Sequence, residues 1–155
     1  MPTPYKQTDI RWRNEKLGNS STTIGQGGCT ISCIGYLHNL ITGENITPSE
    51  VNKRMKATGA FQGSLVLWSR VPRAFPELVW KFRDYNYNNA MVWSWINIWP
   101  RVPVLVENRM ASISGRHWRL FIGGGRCYNP LSGAVESTTL PAYKMLSGSA
   151  RYARK

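Results

Sequence analysis

The 155-residue sequence predicts a single α+β domain in which helices come first and an antiparallel sheet follows. Near residue 30, apolar residues recur at three- and four-residue steps, which is the period of a helix with one buried face. From residue 78 onward, short apolar segments are separated by glycine, proline and asparagine, which is typical of strands and turns. The length suits one domain with a sizeable core, and neither an internal repeat nor a long linker divides it.

The first helix is predicted from Cys29 to Ile41, directly after the glycine-rich stretch GQGG. Gly43 supplies its stop, because glycine readily adopts the left-handed conformation that ends helices. Residues 1–24 are polar and rich in turn-forming residues. We therefore expect an extended arm there, which Trp12 anchors to the body of the domain.

A second helix is predicted to begin after Thr47. Thr47 suits the N-cap, Pro48 suits the first helical position, and Glu50 completes a Thr-x-x-Glu capping box. The helix is expected to run to Ala57 and to end at Gly59. Residues 64–71 fit a short helix or a strand equally well.

The remaining elements are predicted to be mostly extended. The predicted strands lie at 78–85, at 102–107, within a hairpin over 116–133 that turns at Gly123 to Gly125, and at 135–140. Residues 108–115 are expected to form a loop, and residues 141–155 a basic tail that frays. Trp93, Trp95 and Trp99 suit either a stacking platform for sugars or bases or a packing face of the core.

The chain is strongly basic, with 20 Lys and Arg against eight Asp and Glu and a formal charge of +12. This excess favours polyanionic partners such as nucleic acid, anionic lipid or an anionic cell envelope. No P-loop, zinc-ligand spacing or nucleic-acid motif is present, so no cofactor or metal is predicted, and nucleic acid is not the favoured partner.

Other features bear on the compartment. No apolar run approaches the roughly 20 residues of a membrane span, and the first residues have no apolar signal region. Three cysteines do not suggest a disulfide framework. We therefore expect synthesis in a reducing cytoplasm, at least one free thiol and no transmembrane segment.

Cys29 is a candidate nucleophile because it is predicted to lie at a helix N-terminus. Unpaired N–H groups and the helix dipole favour negative charge there, which would lower the pKa of a thiol. The preceding glycines would let a substrate approach the sulfur closely. The alternative is that Cys29 is a small buried hydrophobic residue beside Cys33.

His117 and Asn129 are candidate partners for Cys29. If the hairpin turn is centred on Gly123, residues 117 and 129 lie opposite each other, and directly opposite side chains have Cβ atoms about 4.5–5.5 Å apart. Cys29, His117 and Asn129 would then form a nucleophile–base–orienter triad. A one-residue slip would move Asn129 to the other face. Alternatively, Asn129-Pro130 is only a turn and His117 only a half-buried strand residue.

Four segments of the chain carry a resemblance to a known family. They are YKQTDIRWRNEKLGNSSTTIG, GGCTISCIGYL, ITPSEVNKRMKATGAFQGSLVLW, and the series VPVLVE, GRHWRLFIGGG and YNPLSG. In order and spacing they resemble the C39-like group of papain-like cysteine peptidases, named for its bacteriocin-processing members, over about residues 5–133. The resemblance implies one papain-fold domain over residues 1–155, with N-terminal helices packed on a small antiparallel sheet.

The resemblance also implies a role for each site residue. Cys29 matches the nucleophile and His117 the general base and acid, whereas Asn129 stands where the group usually has Asp. Gln7 matches the glutamine that donates to the oxyanion, with the Cys29 N–H as the second donor. Gln26 is a rival for that glutamine role. The mechanism implied is metal-free acyl transfer by a thiolate–imidazolium pair.

The two other cysteines, Cys33 and Cys127, match no catalytic position and are expected to pack, with Cys127 on the His117 side of the hairpin. Together with the charge, the resemblance favours a phage-type lytic enzyme that cleaves peptide or amide bonds of peptidoglycan after release from the host cytoplasm. The alternatives are a protein-processing cysteine peptidase, or an inactive C39-like protein that binds a virion or host factor or nucleic acid.

Overall fold

The structure is a computed structural model and describes residues 1–85, 103–110, 115–138 and 143–155. In chain order the helices are α1 (Ile24–Gly27), α2 (Cys29–Thr42), α3 (Pro48–Ala57) and α4 (Val71–Ala74), and a 3-10 turn (Trp68–Arg70) precedes α4. The strands are β1 (Phe61–Gln62), β2 (Leu65–Val66), β3 (Leu78–Asp84), β4 (Val104–Met110), β5 (Arg116–Gly123), β6 (Arg126–Asn129), β7 (Ala134–Ser137) and β8 (Tyr143–Arg154). The predicted tryptophan cluster, Trp93, Trp95 and Trp99, lies outside the described residues.

The fold is mixed α and β, as predicted, with the longer helices preceding the main sheet. That sheet is antiparallel and has six strands in the order β3-β8-β4-β5-β6-β7, while β1 and β2 form a separate two-stranded ribbon. Helix α2 packs on one face of the large sheet, and its main sheet contact is β5. The N-terminus of α2 and the start of β5 are thereby brought to one end of the domain, where the candidate site lies.

Helix α2 confirms the prediction made from periodicity. Ile31, Ile34 and Leu37 are fully buried and belong to the main core with Leu120 of β5. Gly43 ends the helix at φ 78°, a left-handed conformation that carries a Cβ penalty for other residues.

Helix α3 confirms the predicted N-cap, first position and end, and of the predicted capping box it has the Thr47 bond. It begins at Pro48, and the Thr47 hydroxyl accepts a hydrogen bond from the Glu50 N–H at 3.3 Å. The undecided segment 64–71 contains both alternatives, because β2 is followed by the 3-10 turn and α4.

The N-terminal arm is anchored by Trp12, as predicted, but it is not extended throughout. Main-chain hydrogen bonds from Trp12 and Arg13 to Asp9 fold it into successive turns. Trp12 is buried, and its Nε1 donates to the Lys6 carbonyl at 3.0 Å. The Gln7 N–H donates to the Pro130 carbonyl at 2.8 Å, which fixes the arm beside the end of β6.

The prediction of a basic tail over residues 141–155 is wrong. Residues Tyr143–Arg154 form the longest strand of the sheet, and this strand lies between β3 and β4. Gly148, Ala150 and Tyr152 alternate along it, and the buried Tyr152 hydroxyl donates to the Trp68 carbonyl at 2.7 Å. The basic composition concealed this alternation, which places small and aromatic residues against the core.

Two further boundaries differ from the sequence prediction. Strand β4 continues to Met110, where a loop was expected from residue 108, because Asn108 and Arg109 pair with β5. Strand β7 covers Ala134–Ser137 of the segment predicted at 135–140, of which residues 139 and 140 lie outside the described range.

Candidate active site

A cavity of about 500 Å³ lies where the N-terminus of α2, the N-terminal arm and the start of β5 meet. Cys29, His117 and Gln7 all line it. Asn129 stands behind His117 and does not line the cavity. The structure therefore brings together the residues that the sequence predicted as a site, from four separate segments of the chain.

Cys29 is the first residue of α2, and local packing explains why glycines precede it. A Cβ at Gly28 would lie 2.5 Å from the Ile24 carbonyl oxygen, so the tight passage from α1 to α2 requires glycine. Gly27 lines the cavity, and a Cβ there would lie 3.1 Å from Thr22 Cγ2 and 3.4 Å from Leu17 Cδ2.

The pKa of Cys29 is raised, contrary to the lowered value expected for a helix N-terminus. Burial of the sulfur is the largest cause, and hydrogen bonds from the main chain of Trp118 and from Thr30 only partly oppose it. The thiol is therefore protonated at neutral pH in the unliganded protein. A preformed thiolate–imidazolium pair is not supported, and a proton acceptor for Cys29 becomes necessary.

His117 and Asn129 are hydrogen-bonded, although the predicted register is wrong by two residues. Leu120 pairs with Tyr128, whereas a turn centred on Gly123 would pair it with residue 126. A two-residue offset keeps every side chain on its predicted face, so His117 and Asn129 remain on the same side. Their Nε2 and Oδ1 atoms lie 2.8 Å apart.

The orientation of Asn129 fixes the tautomer of His117. Asn129 Oδ1 also accepts the Leu131 N–H at 3.0 Å, and its Nδ2 donates to Glu136 Oε1 at 2.5 Å. Because Oδ1 can only accept, His117 Nε2 carries the proton in the neutral ring, and Nδ1 is left as the basic nitrogen. Burial lowers the pKa of His117 to about 4, so the ring is neutral at physiological pH.

Glu136 is a functional candidate that sequence reasoning missed. Its second oxygen, Oε2, accepts the Ser132 hydroxyl at 2.9 Å. It lies on β7 two residues beyond Ala134, the register partner of Asn129, and therefore on the same face of the sheet. The sequence predicts no carboxylate partner for His117, whereas the structure places one next to Asn129.

Gln7 and Gln26 both line the cavity, but their surroundings differ. Gln7 is buried, and its Nε2 donates to the Gly25 carbonyl at 3.1 Å, which leaves the second N–H of the amide for another acceptor. Gln26 is exposed, and its Oε1 accepts the Thr23 N–H at 3.0 Å as part of a capping box on α1. The geometry favours Gln7 as the oxyanion donor.

Comparison with known proteins assigns no family to this chain. No protein-family model matches the sequence, and no curated protein or solved structure matches it.

Cys33, Cys127 and His38 lie outside the cavity. Cys33 is buried in the main core, and Cys127 packs with Val104, Val106 and Phe121 in a second apolar cluster. Both are free thiols, and both have the packing role that the sequence predicted. His38 lies further along α2, where its two ring nitrogens face Glu44 and Glu77 at 3.1 and 3.5 Å.

Within the described residues, no group of three or more His, Cys, Asp or Glu side chains could hold a metal ion. No helix in the same part of the chain is long and apolar enough to cross a membrane.

Proposed function

We propose that this chain is a cysteine-nucleophile amide hydrolase with a papain-like arrangement of its site. The observation that carries the proposal is the 2.8 Å hydrogen bond between His117 Nε2 and Asn129 Oδ1, made beside a cavity that Cys29 enters from the start of α2. A nucleophile, a base and a group that orients the base are the three parts of a catalytic triad.

The proton transfers start from a neutral Cys29 thiol and a neutral His117 imidazole. As the Cys29 sulfur attacks the amide carbon, His117 Nδ1 takes its proton, and the imidazolium that forms remains bonded to Asn129 Oδ1. The negative charge of Glu136 stabilises this imidazolium from the far side of Asn129. His117 then gives the proton to the leaving amine, and water attacks the thioester to release the acid and regenerate the thiol.

The oxyanion of the tetrahedral intermediate needs donors that are in place before the reaction. Gln7 Nε2 would supply one N–H, and the main chain at Cys29 would supply the other, because N–H groups at a helix start lack helical partners. Gln7 is held at both ends, by Pro130 through its N–H and by Gly25 through its side chain. This arrangement keeps the donor fixed while charge develops.

The substrate that we propose is a peptide or amide bond of peptidoglycan, cleaved by a phage-type lytic enzyme. The formal charge of +12 favours adsorption to an anionic envelope, and that adsorption should weaken as salt is added. A protein-processing peptidase with the same triad differs from this proposal only in the substrate.

The test is release of new amino groups from purified peptidoglycan by the wild-type chain, Cys29→Ala and Cys127→Ala. Cys127 is a matched control because it is a free thiol outside the cavity. We expect Cys29→Ala to lose release entirely and Cys127→Ala to retain it. Release that survives in Cys29→Ala would refute the hydrolase, and release from peptides but not from peptidoglycan would identify the protein-processing alternative.

One observation favours a second candidate, a basic C39-like binding protein with an inert cysteine. Burial moves the pKa of Cys29 up and that of His117 down, and both shifts oppose an ion pair between them. For such a protein, Cys29 would alkylate as slowly as Cys33, and Cys29→Ala would keep salt-dependent binding to its polyanionic partner.

A further inference from the structure

The side chain of Arg83 crosses the sheet and ends in the same cavity as Cys29. Arg83 lies on β3 and pairs with Ala150 of β8, yet its guanidinium extends over Gly148 towards Glu107 on β4. A Cβ at Gly148 would lie 2.6 Å from Arg83 Nη1. Because Gly148 has no side chain, the Arg83 side chain can extend over β8 towards Glu107 on β4.

Aromatic rings hold the guanidinium in place. The Arg83 guanidinium carbon is 4.8 Å from the ring centroid of Trp118, 3.9 Å from that of Tyr85 and 5.6 Å from that of Trp68. The side chain is only 10% exposed. This burial lowers the pKa of Arg83. Trp118 links it to the nucleophile, because the Trp118 main chain hydrogen-bonds Cys29.

Positive charge exceeds negative charge at this end of the cavity. Arg116 also lines it, and the nearest nitrogens of Arg83 and Arg116 lie 3.9 and 3.6 Å from one oxygen, Glu107 Oε1. That oxygen already accepts the Ser147 hydroxyl at 2.8 Å. Two guanidinium groups thus face one carboxylate, and both distances exceed those of a hydrogen bond.

Arg83 has unused donor capacity. Its Nη1 donates to the Asp84 carbonyl, whereas its buried Nε has no hydrogen-bond partner among the described residues. A buried donor without a partner costs free energy, and a guanidinium pairs best with a carboxylate through two parallel bonds. Cys29 and His117 are both neutral at pH 7, so they offer this cation no compensation.

We propose that Arg83 and Arg116 form a carboxylate-binding subsite beside Cys29, so that the preferred ligand is an acidic peptide. The cleavage of that peptide rests on the proposed function, but its binding does not. The carboxylate of the ligand would enter between the two guanidinium groups and bring the neighbouring amide towards Cys29. Such a carboxylate occurs on glutamyl residues of wall peptides and of proteins alike.

The experiment measures binding to the Cys29→Ala chain, which lacks the proposed nucleophile. The probes are three acetyl-Ala-X-Ala amides in which X is L-glutamate, D-glutamate or L-glutamine, so that the side chain of X is the only carboxylate. The variants are Arg83→Gln and Arg116→Gln, and Arg73→Gln is the control because Arg73 is an exposed arginine of α4 outside the cavity. Arg116, with its side chain 54% exposed, can be changed with little risk to folding.

We expect at least one glutamyl peptide to bind about tenfold more tightly than the glutamine peptide. The preference should disappear in Arg83→Gln, weaken in Arg116→Gln and persist in Arg73→Gln. Preference for the D-glutamyl peptide would identify wall peptides as the source, and preference for the L-glutamyl peptide would identify proteins. Equal binding of all three peptides, no measurable binding, or a preference that survives in the Arg83→Gln/Arg116→Gln double variant would overturn the proposal.

A second measurement separates this proposal from the hydrolase proposal. Iodoacetate carries a carboxylate and iodoacetamide does not, so the ratio of their rates at Cys29 should fall about tenfold in Arg83→Gln. A Cys29 that reacts with neither reagent faster than Cys33 does would count against the hydrolase. In that case the peptide titrations on Cys29→Ala would still decide the subsite.

Discussion

Glu136 does not contact His117 but accepts a hydrogen bond from Asn129 Nδ2, at 2.5 Å, while Asn129 Oδ1 faces His117 Nε2 at 2.8 Å. The resemblance to C39-like peptidases implies a carboxylate next to the histidine. Here the carboxylate lies one residue further away, with Asn129 between it and His117. An asparagine amide can rotate end for end, and a donor bond to a carboxylate permits only one of its two orientations. Glu136 and the Leu131 N–H, which Oδ1 accepts at 3.0 Å, therefore both select the orientation in which Oδ1 meets the imidazole.

The Glu136→Gln substitution should reduce activity and lower the pKa of His117 further. A glutamine can offer its own N–H to Asn129, so only the Leu131 N–H still fixes the amide, and the negative charge that raises the His117 pKa disappears. We expect kcat to fall about tenfold, and the imidazole titration followed by NMR to move below its value of about 4. Ser132→Ala is the control, because it removes only the other partner of Glu136. An unchanged titration would show that Glu136 is merely structural.

Exchanging the Asn129 amide and the Glu136 carboxylate between the two positions also tests this hydrogen-bonded pair. Asn129→Asp puts a carboxylate beside His117, but this carboxylate also lies next to that of Glu136. Two carboxylates at that separation cannot both ionise. Asn129→Asp combined with Glu136→Gln restores one charge and one donor. We expect each single variant to lose about tenfold or more in kcat, and the double variant to recover about tenfold, a coupling of about 1.4 kcal/mol. Losses that simply multiply in the double variant would contradict the pairing.

The sequence predicted those parts of the site that depend on neighbouring residues or on the alternation of side chains along a strand. The helix beginning at Cys29 follows from periodicity, and the face shared by His117 and Asn129 survives a register error of two residues. The irregularity between Phe121 and Gly123 caused that error, and turn residues alone do not reveal it.

The parts that the sequence did not predict depend on contacts between distant segments. Strand β8 lies between β3 and β4, a pairing that joins residues 33 to 76 positions apart, and its basic composition suggested a tail. Glu136 could have been found from the β6–β7 turn, because Asn129-Pro130 and Gly133 mark a hairpin. The raised pKa of Cys29 depends on burial, which sequence position does not give.

Gln7 and Gln26 should differ sharply when each is changed to alanine. Gln7 is the buried amide with a spare N–H in the cavity wall, so its loss should reduce kcat by about 10²–10³ without a matching change in KM. Gln26→Ala removes a capping bond on α1 and should cost about 1 kcal/mol of stability with little loss of kcat. Steady-state kinetics and urea unfolding of both variants measure this difference. The reverse pattern would assign the oxyanion role to Gln26.

His117 should make the folded state unstable in acid. Burial holds its pKa at about 4 in the folded chain, below the ordinary value of 6.5, so between these two values the unfolded chain binds a proton that the folded chain does not. The contribution of His117 is therefore fully present above pH 6.5 and is lost as pH falls to 4. The loss amounts to about 3 kcal/mol in the free energy of unfolding.

Urea unfolding at pH 7 and pH 4 measures this loss, and His117→Gln isolates it from other titrating groups. Glutamine keeps a donor for Asn129 Oδ1 but does not titrate, so the variant should lose less stability than the wild type over the same interval, by about 3 kcal/mol. Equal losses in the two proteins would mean that His117 charges freely in the folded state. The pKa of His117 would then lie near its ordinary value of 6.5, and burial would not be what keeps the ring neutral in the folded chain.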